Sequence, residues 1–281
     1  MIEHNPPEPL PVTETTADAP PVEYAGAVAR RAKAASARLG RLPGSVRNQA
    51  LSAMADSLDA NLDEILTANE QDLEAVSHVA GQTATADRLR LTPDRIREMA
   101  AGIRDIVRLP DPLGGAPKLW RRPNGMQVGK VRVPIGVIGI IYESRPNVTA
   151  DSAALCLKSG NACVLRGGSE AIHSNTLIAR LLSEASQKAG VPDGALSFVE
   201  RTEREVALAL LKQDAFIDLI IPRGGESLMK TVAEHATIPV IKHDKGVCHL
   251  YIDADADPAM AERLCLNAKV QRPSTCNALE T

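Results

Sequence analysis

Aromatic side chains are scarce: two Phe, one Trp and three Tyr make up 2% of 281 residues. A chain so poor in rings offers no stacking platform for single-stranded nucleic acid. Excess positive charge is missing too. Thirty-two Lys and Arg stand against 35 Asp and Glu, a net charge of −3, so no overall basic field recruits nucleic acid. The cysteines are Cys156, Cys163, Cys248, Cys265 and Cys276, odd in number and without a C-x-x-C pair. That pattern argues against a disulfide framework or a structural zinc site and fits a reducing cytoplasm. The six histidines show no metal-ligand spacing, so no metal is expected. The apolar run Val137–Tyr142 is too short to cross a bilayer. No Lys or Arg precedes Arg30 and no apolar stretch follows the start, so no signal peptide is expected. The G-x-G-x-x-G fingerprint is also absent, so a standard Rossmann site is not indicated.

What is present is an ordinary soluble composition, 44% hydrophobic and 24% charged. The core must therefore be built from Ala, Leu, Ile and Val. Residues 1–22 hold six prolines and four acids, and read as a disordered tail. Residues 23–126 are mostly helical. Ala-rich Tyr24–Leu39 is one helix. Ser45 is placed to cap the next, which carries Leu51, Met54, Leu58, Leu62 and Ile65 at helical spacing. Thr92-Pro93-Asp94 starts a further helix with Ile96, Met99, Ile103 and Ile106 on one face.

From about residue 127 the period changes. Expected strands are Gln127–Val133, Gly136–Tyr142, Ala162–Leu165, Leu196–Val199, Phe216–Ile221, Ile238–Ile241 and His249–Ile252. Helices fall between them: Asn147–Ser159, capped by Asn147; Glu170–Ala189; Thr202–Lys212, with a Thr202–Glu205 capping box; and Glu226–His235. Alternating strands and helices with continuous apolar strands imply α/β architecture, a parallel Rossmann-type sheet covered on both faces. Residues 127–254 form this nucleotide-binding part. Residues 255–281, with the helix Asp257–Val270, have no following strand to join and read as the start of a second, catalytic α/β domain.

Two strand-to-helix loops pair a fixed cation with two glycines: Arg166-Gly167-Gly168-Ser169 and Pro222-Arg223-Gly224-Gly225. Such loops let backbone N–H groups approach an anion at a helix start. They are equally compatible with two ordinary turns carrying surface arginines. A third loop, Glu143-Ser144-Arg145, follows the most apolar strand and can hold a substrate carboxylate or simply open a helix. Cys156, Cys163, Cys248 and Cys265 have the setting of small core residues. Cys276 differs, lying in the polar loop Gln271–Asn277 after a helix. A thiol of pKa about 8.5 is only about 3% thiolate at pH 7, so a nucleophile there needs backbone amides or Arg272 beside it.

Five segments together resemble the gamma-glutamyl phosphate reductases of the aldehyde dehydrogenase superfamily. They are Val133–Gly139, Tyr142–Thr149, Leu157–Ala162, Leu165–Glu170 and Gln271–Thr281, and the likeness runs in order from about Tyr24 to Thr281. It implies an aldehyde-dehydrogenase-like fold and NADPH-dependent reduction of L-glutamyl 5-phosphate to L-glutamate 5-semialdehyde, the second step of proline biosynthesis. Cys276 takes the place of the family's catalytic cysteine, which attacks the acyl phosphate to form a thioester. Arg166 and Ser169 stand where the wider superfamily has a Lys and a ribose-binding Glu. A carboxylate there would repel a 2′-phosphate, so the change implies NADPH over NADH. Asn147 is the candidate oxyanion donor.

Where hydrolytic relatives carry a Glu-Leu-Gly-Gly general base, this chain reads Ile241-Lys242-His243-Asp244. An enzyme that exchanges phosphate has no use for water activation. The likeness also implies a homo-oligomer when full length, and a family that runs well past residue 281. The chain by itself is then expected to be nearly inactive. The other readings are a hydrolytic aldehyde dehydrogenase and an inactive nucleotide-binding fragment.

Overall fold

Four parallel strands form the centre of the computed structural model, which describes residues 18–77, 83–115, 119–143, 145–242, 246–271, 273, 275 and 277–281. The described chain divides into two compact units, Met1–Ile241 and Lys242–Thr281.

The first unit opens with helices. α1, Pro21–Leu39, has proline in its first turn and buries Ala25, Ala29 and Ala32. Small side chains every three or four residues let this helix lie close against its neighbours, as a ring-poor core requires. α2 spans Gly44–Ala60 and α3 Leu62–Ser77. The single helix expected through Ile65 is broken at Asn61, whose backbone leaves the helical region (φ −115°, ψ 30°). Asn61 Nδ2 donates to the Ser57 carbonyl at 2.7 Å, satisfying a helix end that propensity alone would not place there. Ser45 is not a cap either; Pro43 holds that position and no side chain bonds the first turn. α4, Thr83–Leu89, precedes α5, Pro93–Arg108. There Thr92 Oγ1 accepts from Arg95 N at 3.2 Å, the expected cap, and Ile96, Met99 and Ile103 are buried.

A two-stranded antiparallel pair, β1 (Leu119–Arg121) with β2 (Gln127–Gly129), follows. The strand expected to reach Val133 stops at Gly129, and Val131, Val133 and Ile135 are exposed. Pro134, without an N–H, cannot join a ladder.

The parallel sheet comprises β3 (Val137–Tyr142), β4 (Ala162–Arg166), β5 (Leu196–Phe198) and β6 (Leu219–Arg223), in the order β5-β4-β3-β6. All six residues of β3 are buried, as its unbroken apolar run requires. The connecting helices are α6 (Asn147–Lys158), α7 (Ile172–Lys188) and α8 (Arg204–Leu210), with α9 (Glu226–His235) after β6. From β3 to β4 to β5 the chain steps one way across the sheet; from β5 to β6 it steps back. Right-handed crossovers therefore put α6 and α7 on one face and α8 on the other. Accordingly α6 packs on α7, while α8 packs on α1.

Several local expectations give way to tertiary bonds. Asn147 is the first helical residue of α6, not its cap, which is Pro146. Thr202 forms no capping box: α8 starts at Arg204 behind Glu203, and the Thr202 carbonyl accepts from Arg166 at 2.9 Å. β6 begins at Leu219 rather than Phe216, because Phe216 and Ile217 turn back to bond the Gln213 carbonyl. Ile238–Ile241 meets β6 at one bridge only, Ile220 with Val240, where Pro239 interrupts the donors.

In the second unit α10, Pro258–Val270, starts at Asp257, whose carboxylate accepts from Ala259 N at 2.8 Å and Met260 N at 3.1 Å. The strand expected at His249–Ile252 is not formed; a single bridge joins Cys248 to Leu279. Cys156 and Cys163 are core residues as expected, whereas Cys248 and Cys265 are only half-buried. α10 buries none of its side chains, so its apolar positions do not make a core.

Candidate dinucleotide site

The sheet reverses its winding at β3, whose neighbours β4 and β6 are reached in opposite directions. In open parallel sheets a ligand crevice lies beyond the carboxyl ends of the strands at such a switch point. Register brings the predicted loops to this edge: Ile141 pairs with Arg166 and Tyr142 with Arg223. The loops beginning at Glu143, Arg166 and Arg223 are therefore neighbours in space although far apart in sequence.

The Pro222–Gly225 loop leads into α9, with Gly225 at the cap position. Having no side chain, Gly225 cannot cap its own helix. Glu143 does it instead: Gly225 N donates to Glu143 Oε2 at 2.8 Å. A Cβ on Gly224 would lie 2.6 Å from the same carboxylate oxygen, so the glycine is what admits an anion here. Glu143 N in turn donates to the Arg223 carbonyl at 3.3 Å. Glu143, read from the sequence as a substrate contact, thus sits on the second glycine loop. Arg223 is exposed beside it, and Pro222 is buried at the strand end.

The Arg166–Ser169 loop is built differently. Arg166 is half-buried, and burial lowers its pKa while the Glu170 carboxylate works the other way. Its guanidinium donates to the Thr202 carbonyl, yet its Nε is buried without a hydrogen-bond partner among the described residues. A buried, unsatisfied donor costs about 1–3 kcal/mol and marks a position that an acceptor would improve. Beneath the loop lies a chain of polar groups. Tyr142 Oη meets Thr149 Oγ1 at 2.6 Å, and Thr149 Oγ1 donates to Asn175 Oδ1 at 2.9 Å. The Asn175 amide nitrogen lies 2.3 Å from where a Gly167 Cβ would be. A Gly168 Cβ would meet the Glu170 carboxylate at 2.3 Å. Neither glycine can be replaced without moving these groups. Burial pushes the Tyr142 phenol well above its usual range, so it stays protonated as a donor. Ser169 is exposed.

Asn147 and Arg145 are exposed at the start of α6. Asn147 Nδ2 donates to Asp151 Oδ2 at 3.2 Å, and burial raises the pKa of that carboxyl. Ser144, Arg272, His243, Asp244 and Cys276 lie outside the described residues. Asn175, Glu170 and the Thr202 carbonyl are the site groups that sequence reasoning missed. Only Glu170 and Asn175 carried a signal, as polar residues just after a glycine loop.

Glycine loops at a switch point, with an anion seated on one helix start, fit a dinucleotide-binding α/β fold. The profile of the Aldehyde dehydrogenase family matches residues 7–279. The chain belongs to the aldehyde dehydrogenase family. Within it, this aldehyde dehydrogenase homologue is 56% identical over 254 residues to the gamma-glutamyl phosphate reductase of Geobacter metallireducens, covering 90% of the chain and 61% of the relative. It is 53% identical to that of Thermodesulfovibrio yellowstonii, covering 90% and 60%. The crystal structure of the Thermotoga maritima gamma-glutamyl phosphate reductase superposes with a TM-score of 0.83 at 40% identity, over 90% of this chain and 61% of that one. The Saccharomyces cerevisiae enzyme follows at 0.71 and 34% identity, over 90% and 63%. The chain therefore spans about three fifths of the length of the relatives it matches. A family fold of this kind carries a nicotinamide cofactor.

Proposed function

We propose that the chain carries the cofactor-binding part and the nucleophile of a gamma-glutamyl phosphate reductase. The reaction is NADPH-dependent reduction of L-glutamyl 5-phosphate to L-glutamate 5-semialdehyde with release of phosphate, the second step of proline biosynthesis. The observation that carries it is the 56% identity over 90% of the chain to a protein of that name. The switch-point loops supply a physical reason.

In this reading the Cys276 thiolate attacks the acyl carbon and expels phosphate, leaving a thioester. When bound, NADPH supplies the hydride that reduces the thioester to the aldehyde. Gly224 and Gly225 at the start of α9 would hold the diphosphate, where a carboxylate already fits. Arg166, with its unpartnered Nε, and exposed Ser169 would take the 2′-phosphate. Arg145 and Asn147, exposed at the start of α6 after the same strand, would hold the substrate carboxylate and the oxyanion respectively. Residues 255–281 would open the catalytic domain, and the whole protein would act as a cytoplasmic homo-oligomer. A hydrolytic dehydrogenase is disfavoured by the absence of glutamate in Ile241-Lys242-His243-Asp244.

The test is a fluorescence titration of the 281-residue chain with NADPH and, separately, NADH. Saturable binding that prefers NADPH is expected. Binding of neither, or a preference for NADH, would overturn the cofactor assignment.

A further inference from the structure

We propose that Glu143 determines which anions the switch-point crevice accepts, as a tethered carboxylate that only a diphosphate anchored elsewhere displaces. This rests on the dinucleotide reading above and names a selectivity within that site. Three observations lead to it. Glu143 Oε2 lies 2.8 Å from Gly225 N, the donor that heads α9. The same carboxylate fills the space that Gly224 leaves open, 2.6 Å from its would-be Cβ. Glu143 itself is exposed, so the carboxylate stays within reach of water and can swing away without breaking the core.

The position is that of an anion. A helix start presents about half a positive charge together with unpaired N–H groups, and a carboxylate there is a charge-assisted acceptor. Glu143 and Gly225 are 82 residues apart in sequence, but β3 and β6 are hydrogen-bonded neighbours, which fixes the tether. A group tethered this closely acts at an effective concentration of about millimolar or above. A free phosphate ion must compete with that local carboxylate and has no other anchor. A dinucleotide held through Arg166 and its adenosine also presents its diphosphate at high effective concentration, and wins. Glu143 thereby excludes small anions, including the phosphate that the proposed reaction releases, while admitting the cofactor. It is a selectivity residue; nothing in this role touches the reacting atoms.

The test uses the whole 281-residue chain, with NADPH binding followed by fluorescence in chloride or in millimolar inorganic phosphate at matched ionic strength. Wild type is expected to bind NADPH equally in both. Glu143→Gln is expected to bind NADPH about tenfold more tightly in chloride, since a neutral acceptor is roughly half as strong. It is also expected to lose that gain in phosphate. Unchanged or weaker NADPH binding by the variant, with no phosphate sensitivity, would overturn the inference and leave the cofactor reading standing. Failure of wild type and variant alike to bind NADPH would overturn both. Should Glu143→Gln fail to melt cooperatively, Glu143→Asp retracts the charge by one methylene and is expected to shift the same way. Wild-type behaviour of that variant would count against the inference.

Discussion

The two edges of the parallel sheet solve opposite problems. At the amino edge the start of β3 and the turn before β4 are tied by buried or half-buried side chains. Asp218 Oδ2 accepts from Val137 N at 2.8 Å while Lys33 Nζ holds both its oxygens at 2.7 and 2.8 Å. Asn161 Oδ1 accepts from Ile135 N at 2.6 Å and Gly136 N at 3.0 Å. Lys158, buried, donates to Asn48 Oδ1 at 2.8 Å and to the Val107 carbonyl at 3.0 Å, and Arg47 donates to the Lys158 carbonyl. At the carboxyl edge the loops are glycine-rich and an exposed carboxylate supplies a helix cap, while a buried Nε without a partner among the described residues occurs at both edges, on Arg47 and on Arg166. The lesson is a division of labour. Side chains bonded to the backbone at one end fix the register of the strands, and an exchangeable carboxylate among glycines at the other leaves room for a ligand.

If that contrast holds, substitutions at the amino edge should cost stability and those at the carboxyl edge should cost binding. The largest effect is expected from Gly136→Ala. Gly136 has φ 129°, and its Cβ would lie 2.2 Å from Asp218 Oδ2. Backbone strain plus the displaced carboxylate should remove roughly 3–4 kcal/mol, read by denaturant unfolding. A loss under about 1 kcal/mol would dissolve the contrast. Asn161→Ala comes next. It leaves two N–H groups at the start of β3 without their acceptor, and about 2 kcal/mol should go by the same measurement.

Arg166→Ala reverses the pattern. Among the described residues its hydrogen bond is to the Thr202 carbonyl, so stability should move by less than about 1 kcal/mol. NADPH binding should weaken at least about tenfold, and NADH binding far less, because only the former carries the phosphate that Arg166 would hold. Equal loss of both cofactors would place Arg166 elsewhere in the site.

The smallest effect sharpens the comparison within the amino edge. Arg31 Nε donates to Asp193 Oδ2 at 3.0 Å, in the turn that precedes β5, but both side chains are about half exposed. The hydrogen bond from Arg31 is the main cause that holds the Asp193 carboxyl below its usual range. Because the folded-state value is depressed, the contribution is present above the unfolded carboxyl pKa and is lost as pH falls through the folded one. Asp193→Asn should therefore cost less than about 1 kcal/mol at neutral pH. The gap to wild type should close between about pH 5 and pH 2, as followed by thermal melts. A gap that persists at the acid end would mean that shape, not charge, carries this contact.

Much of this was legible along the chain. Apolar β3, the Thr92 cap and the glycine loops each depend on neighbours a few residues away. A buried run, a hydroxyl three residues from its donor and a missing side chain are all local facts. What misled was equally specific. Asn147, Ser45 and Thr202 are good capping residues in isolation, but Pro146, Pro43 and Glu203 hold the cap positions. Phe216 has strand propensity, yet the turn at Gln213 claims its backbone.

The sequence alone determined most of the helices, the four strands of the parallel sheet, and which loops carry cations and glycines, because periodicity and side-chain chemistry are written residue by residue. Only the tertiary structure decided that Glu143 caps a helix 82 residues away, that Asn175 supports Gly167 and that Asp218 anchors β3. Those partners meet through strand register and the direction of each crossover, which no short stretch of sequence specifies.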